Sequence, residues 1–319
     1  MRQALAVLAT VLASSLPMAA ARAAEEAPSP DHYALGGHHF LVSHVVQDPF
    51  SVTSFGMNFA VGTGQALGPS LDLSTSPPTL VPSSRWYSYA GLVQQFDLTV
   101  WILEILSLRA GLFAGLRQGA GNGSALVVGT SLRVAGLGGV KGSVAVTPGV
   151  RLSLSGEIGY GPHLNFLLLQ GIKESLPSNT IDWSNVFQSR NSLTGTLTGA
   201  AAWAIRPYLG LIANAQYLHS KNESVDKANQ DGFAGAGSLE FDALPLVEWL
   251  PVGANVAYGQ VGSNGSSGIS WQEEYGGGVY YTGRPHLALG VEVEHRRGKL
   301  DTELKSKQTL AWVNFRYFW

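Results

Sequence analysis

The stretch Ser306-Lys307-Gln308-Thr309-Leu310-Ala311-Trp312-Val313-Asn314-Phe315-Arg316-Tyr317-Phe318-Trp319 decides how the chain is read. Thr309, Ala311, Val313, Phe315, Tyr317 and Trp319 fall at alternate positions, with Trp312, Asn314 and Arg316 between them. Successive side chains of a strand point to opposite faces, so one face is apolar and the other carries an amide and a guanidinium. The same period of two recurs upstream. Thr53, Phe55, Met57, Phe59 and Val61 alternate with Ser54, Gly56, Asn58 and Ala60, and Leu106, Leu108, Ala110, Leu112 and Leu116 alternate with Ser107, Arg109, Gly111 and Gly115. From 126 to 146 the even positions hold Leu126, Val128, Leu132, Val134, Val140, Val144 and Val146, and the odd ones Gly129, Ser131, Arg133, Lys141 and Ser143.

Composition narrows the class. Of the 319 residues 45% are hydrophobic and only 13% charged, against about 25% charged in ordinary soluble domains. Beyond the first residues, no apolar run approaches the ~20 residues of a membrane helix. A chain this apolar must then hide its apolar side chains by alternation, and 39 glycines favour strands and turns. A sandwich would alternate too, but its strands average about 5 or 6 residues, and these segments are longer. Their connections also alternate between long and short, as in transmembrane barrels.

We read twelve strands, at 53–62, 86–100, 105–116, 126–146, 150–161, 188–203, 208–219, 230–242, 252–262, 269–281, 287–298 and 306–319. The fold class expected is all-β, a transmembrane antiparallel up-and-down barrel with both termini on the periplasmic side. Segment 126–146 is open to two readings, one tall strand or a hairpin at Leu137-Gly138-Gly139; its unbroken parity favours one strand. Because unpaired backbone groups are costly in hydrocarbon, the last strand should pair with the first. Trp86, Tyr87, Trp101, Trp203, Tyr217, Trp271, Tyr280 and Tyr281 lie near strand ends and are expected to form aromatic girdles at the lipid boundary.

The chain begins with Arg2, the apolar run Ala4 to Leu16 and the small-x-small site Ala21-Arg22-Ala23, the pattern of a secretory signal peptide. Residues 1–23 are therefore expected to be a signal, 24–52 a periplasmic N-terminal segment or small plug, and 53–319 the barrel. Loss of Arg2 and Arg22 makes the formal charge of −2 more acidic, which speaks against nucleic acid as a partner. With no cysteine, a disulfide framework and Cys-based metal or redox chemistry are excluded. His32, His38, His39 and His44 crowd the N-terminal segment; their spacing fits a polar lead-in better than a metal site, so neither metal nor cofactor is expected.

A signal sequence followed by alternating segments and an aromatic terminal strand resembles the Gram-negative outer-membrane β-barrel superfamily. The resemblance rests on Phe315, Tyr317 and Trp319, although the family favours Phe at the very end. It implies an outer-membrane location, with lipid and lipopolysaccharide around the barrel and recognition of those three residues by the barrel-assembly machinery.

With the apolar face outward, the lumen receives Asp97, Arg109, Arg133, Lys141, Arg151, Glu157, Glu240, Asp242, Glu292, Glu294 and Arg316. The cations gather on strands three to five and the acids mostly on strands eight and eleven. Two readings stay open: a transverse field that sets solute selectivity, or a network of paired charges filling a narrow lumen. The apolar run His163 to Leu169 is either a lid or docking surface or a continuation of strand five. No G-x-S-x-G elbow occurs, and neither His219 nor His295 has an evident serine partner, so no enzyme is expected. The leading expectation is a passive channel for small solutes with a charge-lined lumen. The alternatives are a docking barrel of an envelope-spanning machine (secretion, polysaccharide export or motility), which would add envelope proteins as partners, and a surface lipid-modifying enzyme.

Overall fold

In the computed structural model, the residues described are 33–41, 43–72, 79–103, 105–120, 130–166, 187–222, 229–265, 268–299 and 305–319. The signal-like start, His32 and Leu167 to Leu169 lie outside them. A two-residue ribbon, β1 (Ala34–Leu35) and β2 (His38–His39), precedes twelve long strands. These are β3 (Ser54–Asp72), β4 (Thr79–Leu103), β5 (Leu106–Ala120), β6 (Thr130–Thr147), β7 (Val150–Phe166) and β8 (Phe187–Arg206). They continue as β9 (Leu209–Asn222), β10 (Asn229–Asp242), β11 (Val252–Gly265), β12 (Gly268–Tyr281), β13 (Leu287–Lys299) and β14 (Lys305–Phe318).

Each long strand pairs antiparallel with its sequence neighbours, and the sheet closes into a barrel where β14 meets β3. That seam runs in unbroken register from Ser306↔Ala66 to Phe318↔Ser54, and the Trp319 amide prolongs it with a 3.2 Å bond to the Thr53 carbonyl. Closure removes the unpaired edge that hydrocarbon could not solvate. Segment 130–147 is one strand, not a hairpin. Several strands run beyond their expected ends on the side of the long connections: β3 continues to Asp72, and β4 starts at Thr79. Backbone pairing does not depend on apolar side chains, so Gly- and Ser-rich stretches that read as loops extend the ladder. For the same reason β7 takes in His163 to Phe166, with Leu164 on the outer face.

The parity is as the sequence indicates. Phe55, Met57, Val61, Leu92, Leu112, Val140, Leu154, Val256, Val291 and Val313 all stand exposed on the outer wall, a continuous apolar belt far beyond what a soluble monomer shows. Trp86, Trp203, Tyr217, Trp271 and Tyr281 join that wall near strand ends. Tyr87 and Tyr280 do not. They occupy inward parity and are buried, at 6% and 2% exposure, so nearness to a strand end did not determine which face they take.

The belt sets a depth scale. A strand rises about 3.4 Å per residue and tilts 35–45°, so ten residues from Tyr317 to Lys307 cover roughly 25 Å of membrane normal, the height of a barrel's apolar band. Val313 lies near its middle and Gln260 at its outer rim. We expect Val313→Arg to destabilise the barrel by about 2–4 kcal/mol and Gln260→Arg by no more than about 1, measured by equilibrium unfolding in lipid vesicles. Equal costs would contradict the assigned depth.

Candidate functional site in the barrel lumen

Twelve strands about 4.8 Å apart, tilted by about 40°, give a backbone radius of roughly 12 Å. Side chains reaching inward by about 5 Å, half the usual spacing of packed sheets, leave a lumen roughly 14 Å wide. Residues 33–53 occupy the end of it that carries the short turns. Gly36 and Gly37 make the ribbon turn with φ of +54° and +82°, values that side chains rarely adopt and that two-residue hairpin turns require. The turn sits against Ala204 near the end of β8 and against Pro148 and Pro207 of the short connections. The chain then rises toward the middle of the lumen and returns to enter β3.

One side of this segment is apolar. Tyr33, Leu35, Phe40, Val46, Phe50 and Val52 pack with Ala202, Ile212, Ala257 and Phe318 of the wall in a small core inside the barrel. The rings of Phe50 and Phe318 lie 4.5 and 4.7 Å from that of Tyr33. A side chain at Gly210 would overlap the His38 ring, so the wall is bare where the segment crosses it.

The other side is a polar clamp, and the charged residues anticipated for the lumen supply most of it. Glu240 Oε2 accepts the Leu41 amide at 2.7 Å. Glu292 is a hub, accepting from His44 N (2.9 Å), Ser43 Oγ (3.0 Å), Asn255 Nδ2 (3.1 Å) and Asn314 Nδ2 (2.9 Å). On the opposite wall Lys141 Nζ donates to the carbonyls of Phe50 (2.7 Å) and Asp48 (3.0 Å) and to Asp48 Oδ1 (3.2 Å). Arg316 Nη1 reaches Asp48 Oδ2 at 3.0 Å, and Ser143 Oγ donates to the Pro49 carbonyl at 2.6 Å. Acids of β10 and β13 thus hold amides of the segment, Lys141 of β6 across the lumen holds its carbonyls, and Lys141 together with Arg316 of β14 holds its one central carboxylate.

Arg109 pairs with Glu157, and Glu157 also accepts from Gln47 Nε2 at 3.2 Å. Glu294 pairs with Arg296 and accepts the Trp312 indole at 2.8 Å. Asp97 is buried and accepts from Gln95 at 3.1 Å, Arg151 stands over the Phe50 ring, and Asp242 accepts from Thr282 at 2.9 Å. Arg133 is different: it is exposed, 5.7 Å from the Phe113 ring, as Arg117 is over Tyr89 at 4.9 Å. Those two line the end of the lumen that carries the long connections.

Sequence reasoning missed Asp48, Gln47, Arg117 and Arg296. Arg296 shares the inward parity of Glu292 and Glu294, a signal that could have found it, and Arg117 lies one residue beyond the expected end of strand three. Asp48 shows no local signal at all. The described histidines do not assemble a metal site: His38 is bonded to the Pro207 carbonyl at 3.2 Å, and His44 is stacked on Trp312 with centroids 3.4 Å apart. Among the described residues no group of three or more metal-ligating side chains is found. His219 and His295 sit on the outer wall, bonded to Asp231 (2.8 Å) and Thr309 (2.9 Å).

Burial opposes charge on both titratable groups at the heart of the segment. For Asp48, Lys141, Arg316 and Arg109 outweigh it and hold the carboxyl well below the usual range. For His44, burial and then the neighbouring Arg296 push the imidazole down to about 3. A cavity of about 10 Å³ between Tyr33, Asp48, Lys141 and Arg316 is room for about one water molecule.

Removing one member of a buried ion pair strands the other. In Asp48→Asn, Lys141 and Arg316 lose their carboxylate, and local opening of the segment becomes easier by about 3 kcal/mol. Amide exchange at Gln47 and Phe50 should then quicken by about a hundredfold, with the β3–β14 seam unchanged. Unaltered protection in the segment would show that the clamp does not depend on Asp48.

No family model matches the chain, and no curated protein sequence matches it. Solved structures do. An outer-membrane channel from Pseudomonas putida F1 superposes with a TM-score of 0.54 at 9% identity, over 88% of this chain and 100% of the other. The β domain of the Bordetella autotransporter Brka gives 0.52 at 10%, over 84% and 100%. The transport unit of the autotransporter AIDA-I from Escherichia coli gives 0.51 at 9%, over 91% and 97%. At such identities the likeness is one of fold: this chain has the architecture of outer-membrane β-barrels.

Proposed function

We propose that the protein is a Gram-negative outer-membrane channel for small solutes, closed at rest by its own N-terminal segment. The carrying observation is the manner in which residues 41–50 are held. The segment spans the lumen as a separate piece of chain, fastened by side-chain clamps on opposite walls rather than by pairing into the sheet. Such a piece can leave without breaking a strand, and its departure would uncover a polar lumen of solute-passing width. The alternative of a docking barrel is weaker, because the N-terminal segment that could have met a partner is engaged inside the barrel. Catalysis has no support beyond isolated outer-wall histidines. By the arrangement general to such barrels, the short turns and both ends of the barrel chain face the periplasm.

The cysteine-free chain allows a direct test. A Cβ placed at Gly259 would lie 3.4 Å from Val45 Cγ1, within reach of a disulfide. In planar bilayers, Val45→Cys/Gly259→Cys should be silent when oxidised and recover wild-type currents when reduced. Equal currents in both states, or no current from folded wild type at any voltage, would refute the gate.

Protonation of His44 should favour opening. Docked His44 titrates at about 3 and released His44 near the ordinary 6.5, so the released state binds the extra proton between those values. Asp48 remains ionised in both states above about pH 5. The share of the pH dependence carried by His44, read as the difference between wild type and His44→Gln, should raise open probability by up to about thirtyfold from pH 7 to 5, the limit set by linkage at about 1.4 kcal/mol per pH unit. His44→Gln should flatten that dependence.

A further inference from the structure

The outer wall carries a charge arrangement that neither the fold nor the gate requires. On β13 and β14, Arg297 lies directly opposite Lys307, and Lys299 directly opposite Lys305. All four share the outward parity of Val293 and Val313. Like charges facing each other across strands destabilise a sheet, and here two such pairs are stacked. The described neighbours relieve one of the four charges directly. Arg297 pairs with Glu273 at 2.6 Å, and Lys307 Nζ sits 5.3 Å from the ring centre of Trp86. Asp301 and Glu303 of the intervening connection lie outside the described residues.

Depth gives the cluster a meaning. On the scale set by Tyr317, Arg297 and Lys307 stand roughly 25 Å up the apolar band, and Lys299 and Lys305 about 5 Å higher. They therefore occupy the boundary between acyl chains and headgroups in the outer leaflet, flanked by the exposed indoles of Trp86 and Trp271. Below them lies the outward His295–Thr309 pair, and beneath that the wall is apolar: Val61, Val293 and Val313 are exposed, with Ala311 and Gly277 on the same outward parity. A ligand suited to this surface has anionic phosphate at the level of the four cations and saturated chains beneath.

We infer that Arg297, Lys299, Lys305 and Lys307 form a binding site for the phosphates of an outer-leaflet glycolipid, lipopolysaccharide, whose acyl chains lie along the β12–β14–β3 wall. Guanidinium and ammonium groups are the usual partners of phosphate, and the anion would relieve both like-charge pairs. The inference requires only that the protein sits in the outer membrane, so it stands or falls independently of the gate.

The test uses the full-length protein purified in mild detergent, with bound lipid quantified by mass spectrometry. Wild type should retain bisphosphorylated lipid A, lose at least tenfold of it when the lipid is dephosphorylated, and show no saturable binding of inorganic phosphate alone. The quadruple variant Arg297→Gln, Lys299→Gln, Lys305→Gln, Lys307→Gln should retain at least tenfold less. Should that variant not fold, the pair Lys305→Gln/Lys307→Gln should still show a clear loss. Heat-modified mobility on gels verifies folding, and Arg117→Gln/Arg133→Gln in the lumen should bind as wild type does. Equal retention by the folded outer-wall variants would overturn the inference. So would equal binding of phosphatidylglycerol vesicles, since the surface would then be a general anionic-lipid contact.

Discussion

Hydrocarbon does not hydrogen-bond, and every other property of this molecule follows from that refusal. A sheet placed in it must close, so β14 pairs with β3 along its whole length. Closure fixes which face of each strand meets lipid, and with it the segregation of valine and leucine outside from acid, base and amide inside. Twelve strands then fix the width: too wide for opposing side chains to fill by themselves, narrow enough for one short length of chain to do so. The N-terminal segment is that filling.

The lumen also shows why two kinds of adhesion coexist there. Near the short turns the segment meets Ile212, Ala202 and Phe318 and is held as a small protein core is held, by apolar contact. Nearer the middle it meets carboxylates and ammonium groups that must have partners once out of water. Glu292 gathers four donors and Lys141 three acceptors, so charges that would repel or demand water across an empty lumen are satisfied by groups of the segment together with the wall amides Asn255 and Asn314. Glu240 and Glu292 stand across the lumen from Arg109 and Lys141 with the peptide between them, but Arg296 and Arg316 share the acidic side and Glu157 the basic one.

What could be read beforehand follows from the range of the interactions involved. Strand number, facing and closure are written in a period of two, which any ten residues reveal. Arg109, Lys141, Glu240, Glu292 and Arg316 were therefore placed on the inner face without any knowledge of their partners. The segment 33–53 has no such period. Its contacts join residues far apart in sequence, such as Asp48 with Arg316 and Ser43 with Glu292, and nothing local marks Asp48 as the carboxylate that two cations await. Tyr87 and Tyr280 failed for another reason: aromatic content near a strand end suggests a depth, while parity alone determines the face.

Asp48 touches both β6 and β14, while Ser43 and His44, five and four residues earlier, touch β13. A ring of hydrogen-bonded strands is stiff along each strand but easily flattened across its diameter. A short peptide fastened to opposite walls acts as a strut across that ring, so the barrel with the segment in place has a fixed circular section, and a barrel relieved of it would be the more deformable one.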